Sequence, residues 1–273
     1  MSSYEYMTPP GGMPEQSQPI TDRSVFTTAY ALIPRGVLRD IVTSQFPHWE
    51  KTRAWVLARP MSGFSETFVQ SVLEIQPGGG SEQPEPDPEG EGAYFVLSGA
   101  LTLTLENTEK TLGPGGFAWI APGERYRVFN KGDEPVMCHW IRKRYERVEG
   151  VALPDSFFTS DQATDPMPMA GASGRWRTTR FMDPAALGYD MHVTIVTLEP
   201  GAVIPFAETH VMEHGLYVLQ GRGIYRLNTD WVEVTAGDFM WLRAFCPQAC
   251  YAGGDTAFRY LLYKDVNRHP SLS

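Results

Sequence analysis

Short apolar runs closed by glycine, proline or a polar pair recur along this chain. They predict strands joined by tight turns rather than long helices. Residues 37–42 (VLRDIV) and 53–57 (RAWVL) read as strands. From residue 73 onward the runs form a repeat. The stretch 73–78 (LEIQPG) returns as 196–201 (VTLEPG), 94–99 (YFVLSG) as 217–221 (YVLQG), and 112–120 (LGPGGFAWI) as 234–242 (VTAGDFMWL). Their anchoring glycines come back 121 to 123 residues later, Gly78 as Gly201, Gly99 as Gly221 and Gly116 as Gly237. Each copy reads as a strand, a Pro-Gly turn, a strand ending in Gly, a hairpin and a further strand. That is the rhythm of a small double-sheet β-barrel. The expected fold is therefore all-β, with two tandem barrels. Residues 1–24 form an N-terminal arm, 25–150 the first barrel, 151–178 a linker holding Pro154, Pro166, Gly171 and Gly174, and 179–273 the second barrel. Residues 183–187 (DPAAL) are expected to make a short helical turn.

Composition narrows the partners. With 273 residues, 42% of them hydrophobic, the chain can bury one large core or two modest ones. A formal charge of −9 repels phosphate backbones, so nucleic acid is not expected as a partner. No apolar run approaches the ~20 residues that span a bilayer, so no membrane role is expected. Residues 1–18 are polar and lack the basic start and apolar core of a secretion signal, which points to the cytoplasm. Three cysteines (Cys138, Cys246, Cys250) leave one over in any disulfide scheme, which favours free thiols in a reducing compartment.

The chemistry concentrates between Glu208 and His214. The chain has only six histidines. Glu208, His210 and His214 lie at i, i+2 and i+6. On a strand Glu208 and His210 share a face, and a turn after His210 can return His214 to the facing strand. Three N/O donors at one point begin a divalent metal site. The plain alternative is three surface residues near a turn. In 258–264 (FRYLLYK) the even positions share a face, so Tyr260 and Lys264 point together. A lysine facing a barrel interior is costly unless it meets an anion; the alternative is a strand-end lysine reaching water. Tyr225 is either a pocket residue or an ordinary core aromatic. Glu213 alternates away from the cluster, towards a supporting or exposed place. Arg222 and Arg243 are possible anion binders outside the site.

These glycines and ligands resemble the cupin superfamily. Its first motif runs from a Gly through His-x-His and Glu to a second Gly. Here that becomes Gly201, Glu208-x-His210, His214 and Gly221, with the ligand types permuted. Counting the second motif from Gly237 puts Gln248 at its histidine position. The permuted set resembles the (S)-ureidoglycine aminohydrolases, a bicupin family of purine and allantoin breakdown, most closely over 208–226 and 260–268. The resemblance implies two double-stranded β-helix (jelly-roll) barrels, with Mn²⁺ held by Glu208, His210, His214 and Gln248. It implies substrate contacts from Glu208, Gln248, Tyr260 and Lys264, with Tyr225 lining the pocket and Glu208, Tyr260 and Lys264 in the chemistry. The expected partner is a small-molecule substrate, and the family tends to form homo-oligomers.

Carried back by the repeat offset, the ligand positions of the first copy fall on Pro86, Pro88, Gly92 and Arg127, and Lys143 matches Lys264. The first barrel is thus expected to lack a metal site, with the acidic loop 84–89 (PEPDPE) in solvent. Two rivals stay open. One is another metal-dependent cupin enzyme, a dioxygenase or decarboxylase, which oxygen-consumption assays would separate. The other is a non-enzymatic small-acid-binding cupin, which would bind its ligand without releasing ammonia.

Overall fold

Twenty strands and no helix make up the described residues of the computed structural model, which are 23–37, 43–60, 65–106, 108–266 and 268. The first are β1 (Val25–Phe26), β2 (Tyr30–Ile33), β3 (Trp49–Ala58), β4 (Phe68–Ser81), β5 (Gly90–Ser98), β6 (Leu101–Leu105) and β7 (Thr108–Leu112). They are followed by β8 (Gly116–Ile120), β9 (Tyr126–Phe129), β10 (Val136–Arg144), β11 (Phe157–Ser160), β12 (Met167–Pro168) and β13 (Trp176–Arg180). The last are β14 (Met191–Leu198), β15 (His214–Gln220), β16 (Arg222–Leu227), β17 (Asp230–Thr235), β18 (Phe239–Leu242), β19 (Gln248–Gly253) and β20 (Phe258–Asp265). The strand expected at 53–57 lies inside β3. Of the one expected at 37–42, only Val37 is described, in a bend; residues 38–42, like 1–22 of the arm, lie outside the described residues.

The first barrel is a nine-stranded sheet ordered β11-β8-β5-β10-β4-β9-β6-β7, with β3 paired to β4. The second joins an eight-stranded sheet, β1-β2-β18-β15-β20-β14-β13-β12, to a three-stranded sheet, β17-β16-β19. The repeat glycines have a backbone reason. Gly99 and Gly221 both turn at positive φ (76° and 71°), and a Cβ there would meet the carbonyl oxygens of Pro135 and Ala257 at 2.7 and 2.4 Å.

The domain boundaries at 25 and at 151–178 do not follow the sheets. Strands β1 and β2, placed in the first barrel by sequence order, pair into the second. Tyr30 opposes Leu242 and Ile33 opposes Phe239. All four residues of β2 are buried, and β2 covers what would otherwise be an open edge of β18. A pairing 200 residues away leaves no trace in local pattern. The linker is also built into sheets, since β11 pairs with β8 and β12 and β13 join the second barrel. Residues 183–187 form a hydrogen-bonded turn, Ala186 N–H to Asp183 C=O at 3.0 Å, and not a helix.

Three cores follow. Tyr94, Val96, Leu103, Val128 and their neighbours fill the first barrel. Val196, Leu216, Val218, Tyr225, Met240 and Tyr260 fill the second. The opposite face of the large second sheet (Val193, Ile195, Phe239, Trp241, Leu261, Tyr263) packs on Trp55, Phe68, Phe95, Phe117 and Trp119 of the first barrel. This sheet is buried on both sides, so even its inner positions are fixed by packing. The three cysteines are free and buried. No helix among the described residues is long and apolar enough to cross a membrane.

Candidate functional site

The candidate site lies inside the second barrel, where the loop before β15 meets the start of β19. Glu208 is held by a single two-bond bridge: its N–H donates to Gln248 C=O and the Gln248 N–H returns the bond, both at 2.9 Å. The sequence reading of Glu208 and His210 on one strand is thus reduced to one bridging residue followed by coil. His210 is fixed from its carbonyl, which accepts from Phe245 N–H at 2.6 Å. His214 opens β15. It shares parity with Leu216 and Val218, which line the barrel core.

The side chains meet in pairs. Gln248 Nε2 lies 2.7 Å from His210 Nε2. Glu208 Oε1 is 3.9 Å from the same nitrogen, and the His210 and His214 rings sit edge to face with centroids 5.0 Å apart. Tyr225 Oη donates to Gln248 Oε1 at 3.1 Å, and the Tyr225 and Tyr260 hydroxyls are 3.4 Å apart. Lys264 is the Cα partner of His214 across β15–β20, on the same inner face as Tyr260. All seven residues singled out from sequence are therefore neighbours.

Burial sets their charge. It raises the Glu208 carboxyl above its usual range, against the pull of Lys264. Burial and then Lys264 lower His210; burial, His210 and Lys264 push His214 down to about 3. Both imidazoles are thus neutral near pH 7, the form that ligates metals. Burial and then Arg180 lower Lys264. Burial holds Tyr225 and Tyr260 well above the usual phenol range, so both keep their protons.

The donor types suit a hard divalent cation: one carboxylate, two neutral imidazoles and an amide, with His214 Nδ1 buried and unpartnered. Among the described residues, however, no three His, Cys, Asp or Glu side chains converge on one point. Gln248 presents its amide nitrogen to His210 while its oxygen takes the Tyr225 bond. Turning that amide over would face the oxygen to His210 and keep a hydrogen bond with Tyr225.

Several residues depart from the sequence reading. Glu213 takes the supporting place of its two alternatives, not the exposed one. It is 4% exposed and accepts from Trp241 Nε1 (2.6 Å), Glu66 N–H (2.8 Å), Thr67 N–H (2.9 Å) and Thr67 Oγ1 (2.6 Å), tying the barrels together. Arg222 and Arg243 pair with Glu233 and Glu66. Sequence reasoning missed Arg180 and His192. The signal was the even parity of His192 in β14, which it shares with the core residues Val196 and Leu198.

In the first barrel the register moves two assignments by one residue. Gly92 opposes Arg142 and Ile120 as His214 opposes Lys264 and Leu242, and Leu105 opposes Tyr126 as Leu227 opposes Gln248. Arg142 and Tyr126, not Lys143 and Arg127, stand at the Lys264 and Gln248 positions. Arg142 pairs with Glu85 and lies 4.6 Å over the Trp140 ring. The acidic loop is therefore not simply solvated, since Glu85 is tucked in beside a cavity of about 610 Å³. Lys143 points the other way, buried against Asp190.

Two such barrels on one chain, with polar donors gathered in the second, define a bicupin. The cupin-domain family model matches residues 71–142 and 194–263. A relative from Oryza sativa subsp. japonica, named "Probable (S)-ureidoglycine aminohydrolase", is 34% identical over 94% of this chain and 79% of its own length. The (S)-ureidoglycine aminohydrolase of Escherichia coli strain K12 is 31% identical over 87% of this chain and 88% of its own. The chain belongs to the (S)-ureidoglycine aminohydrolase family of cupins. A crystal structure of a Pseudomonas aeruginosa protein superposes with a TM-score of 0.90, at 58% identity and 98% coverage of both chains.

Proposed function

We propose that the second barrel hydrolyses (S)-ureidoglycine, releasing ammonia and leaving (S)-ureidoglycolate. The reading rests on the names of the relatives and on one geometric observation: the Glu208–Gln248 bridge sets a carboxylate and an amide on either side of His210, with His214 and Lys264 cross-strand partners beside them. Glu208, His210, His214 and Gln248 would hold a divalent cation, Mn²⁺ by the resemblance. Bound there, the cation supplies positive charge that polarises a substrate atom.

The chain's own residues account for the rest. Lys264 draws the substrate carboxylate into the barrel. Tyr260, kept protonated by burial, donates a hydrogen bond or passes a proton rather than acting as a phenolate. Glu208, its basicity raised by burial, can accept a proton from water. The C–N bond to the amine breaks, nitrogen leaves as ammonia with one added proton, and a water oxygen takes its place on the same carbon. The closed interior offers that water one face of the carbon, which gives a single enantiomer. The reading extends to a place in purine breakdown through allantoin, in the cytoplasm, as a homo-oligomer acting on a small molecule.

Freshly generated ureidoglycine, assayed for ammonia with and without added Mn²⁺ and with chiral analysis of the product, tests this. Metal-dependent release of ammonia with one enantiomer formed supports it; oxygen uptake, or saturable binding without ammonia, replaces it.

A further inference from the structure

Three adjacent strands place His192, Lys264 and His214 in one row. Lys264 on β20 is the Cα partner of His192 on β14 and of His214 on β15. Cross-strand partners project to the same face. That face is the barrel interior, since Val196, Tyr260 and Val218, of the same parity on the same three strands, lie in the second barrel's core. Arg180, on β13, shares this face but stands diagonally to His192, since it opposes Thr194, two residues along β14.

Two residues beside Lys264, His192 and Arg180, are unspent by the scheme above. His192 is 6% exposed, and its Nε2 has no hydrogen-bond partner. A buried polar nitrogen left unpaired costs free energy unless a ligand satisfies it. Arg180 and Lys264 are two neighbouring cations with no carboxylate within ion-pair distance among the described residues, although Glu208 and Asp265 act on Lys264 from further off. Among the described residues the Arg180 side chain donates to Thr178 Oγ1 (3.1 Å) and Met169 Sδ (3.3 Å), neither of which offsets its charge. The charged groups felt by His192 are Lys264, Arg180 and Asp183. Asp183 is exposed, and its Oδ1 already accepts the Ala185 N–H at 2.9 Å.

We propose that His192 and Arg180 complete the carboxylate subsite begun by Lys264, with His192 donating from Nε2 to one carboxylate oxygen and Arg180 balancing the charge. This rests on the proposed function and adds two residues to it. A neutral imidazole between two cations gives direction, whereas Lys264 alone gives only attraction. Together they separate an acid from its neutral amide.

The experiment uses the full-length, Mn²⁺-loaded chain. Its probes are N-carbamoylglycine, which keeps the ureido and carboxylate groups but lacks the reacting amine, and N-carbamoylglycinamide, which lacks the charge. Calorimetry measures both on the wild type, His192→Ala, His192→Asn and Arg180→Gln, with bound metal counted and melting curves recorded. The expected result is roughly tenfold or greater weakening for the acid, and under about twofold change for the amide, in His192→Ala and Arg180→Gln. His192→Asn is expected to keep part of the affinity for the acid. An unchanged acid-to-amide ratio in a folded variant overturns the inference, as does loss of Mn²⁺ from the His192 variants with binding restored by excess metal. A wild type that releases ammonia while its variants bind normally removes only this subsite. A wild type that neither binds the acid nor releases ammonia removes the proposed function with it.

Discussion

Arg142 of the first barrel and Lys264 of the second hold equivalent register positions, and among the described residues only Arg142 of the two has a carboxylate within ion-pair distance. Glu85 fills that role, with Arg142 stacked over Trp140. Lys264 faces an interior without such a partner, next to Glu208 and His214. The two barrels thus share a frame but pair this position differently.

Glu208→Ala should strip the proposed cation site. Bound Mn²⁺ should fall from about one per chain to near zero, with ammonia release down at least ~100-fold. Elemental analysis and the ammonia assay read the two effects. The apo chain should stay folded, because the apolar residues that fill the second core, among them Val196, Leu216, Val218 and Met240, are untouched. A variant with full metal and full turnover rejects Glu208 as a ligand.

Tyr225→Phe removes the hydroxyl that donates to Gln248 at 3.1 Å and keeps the ring. A freed Gln248 amide should weaken Mn²⁺ affinity about tenfold, with only about 0.5–1.5 kcal/mol lost in urea unfolding. Metal titration against unfolding curves separates these two quantities.

Glu213→Ala removes the carboxylate that accepts from the Trp241 indole and the Glu66 and Thr67 amides. The expected cost is on the order of 3–5 kcal/mol, measured by denaturant unfolding. Glu213→Gln should lose less, since one oxygen remains to accept. Because His214 follows directly, metal affinity should fall along with stability.

Glu91 gives a pH signature. Burial first, then Asp190, push its carboxyl up to about 8. Between its ordinary value and 8 the folded chain holds a proton that the unfolded chain has lost, so this residue makes stability fall as pH rises through that window, by up to about 1.4 kcal/mol per unit. Glu91→Gln, which mimics the protonated form, should therefore gain on the wild type in melting temperature from pH 5.5 to pH 8. A constant difference across that range rejects the assignment.

Much of the architecture could be read along the chain because its causes are local. Gly99 and Gly221 need positive φ and a close carbonyl, so they mark the same corner in both copies. The even parity of Tyr260 and Lys264 followed from strand geometry. What escaped was set at a distance. Strand β2 finds β18 some 200 residues on. Glu213 finds Trp241 and the Glu66–Thr67 backbone of the other barrel. The first barrel's equivalents moved from Arg127 and Lys143 to Tyr126 and Arg142 because counting from Gly237 differs by one from the true register. His192 went unnoticed because its place beside Lys264 comes from the pairing of β14 with β20 and not from its neighbours in sequence.

The entry of β1 and β2 into the second barrel has a consequence for synthesis. The residues that seal the edge of β18 leave the ribosome first, and the strand they seal leaves among the last. Until then Tyr30, Leu32 and Ile33 have no berth, and the second barrel is incomplete without them. A fragment beginning at residue 151 would carry every proposed ligand and still present a raw edge at Met240 and Leu242, inviting another chain to fill it.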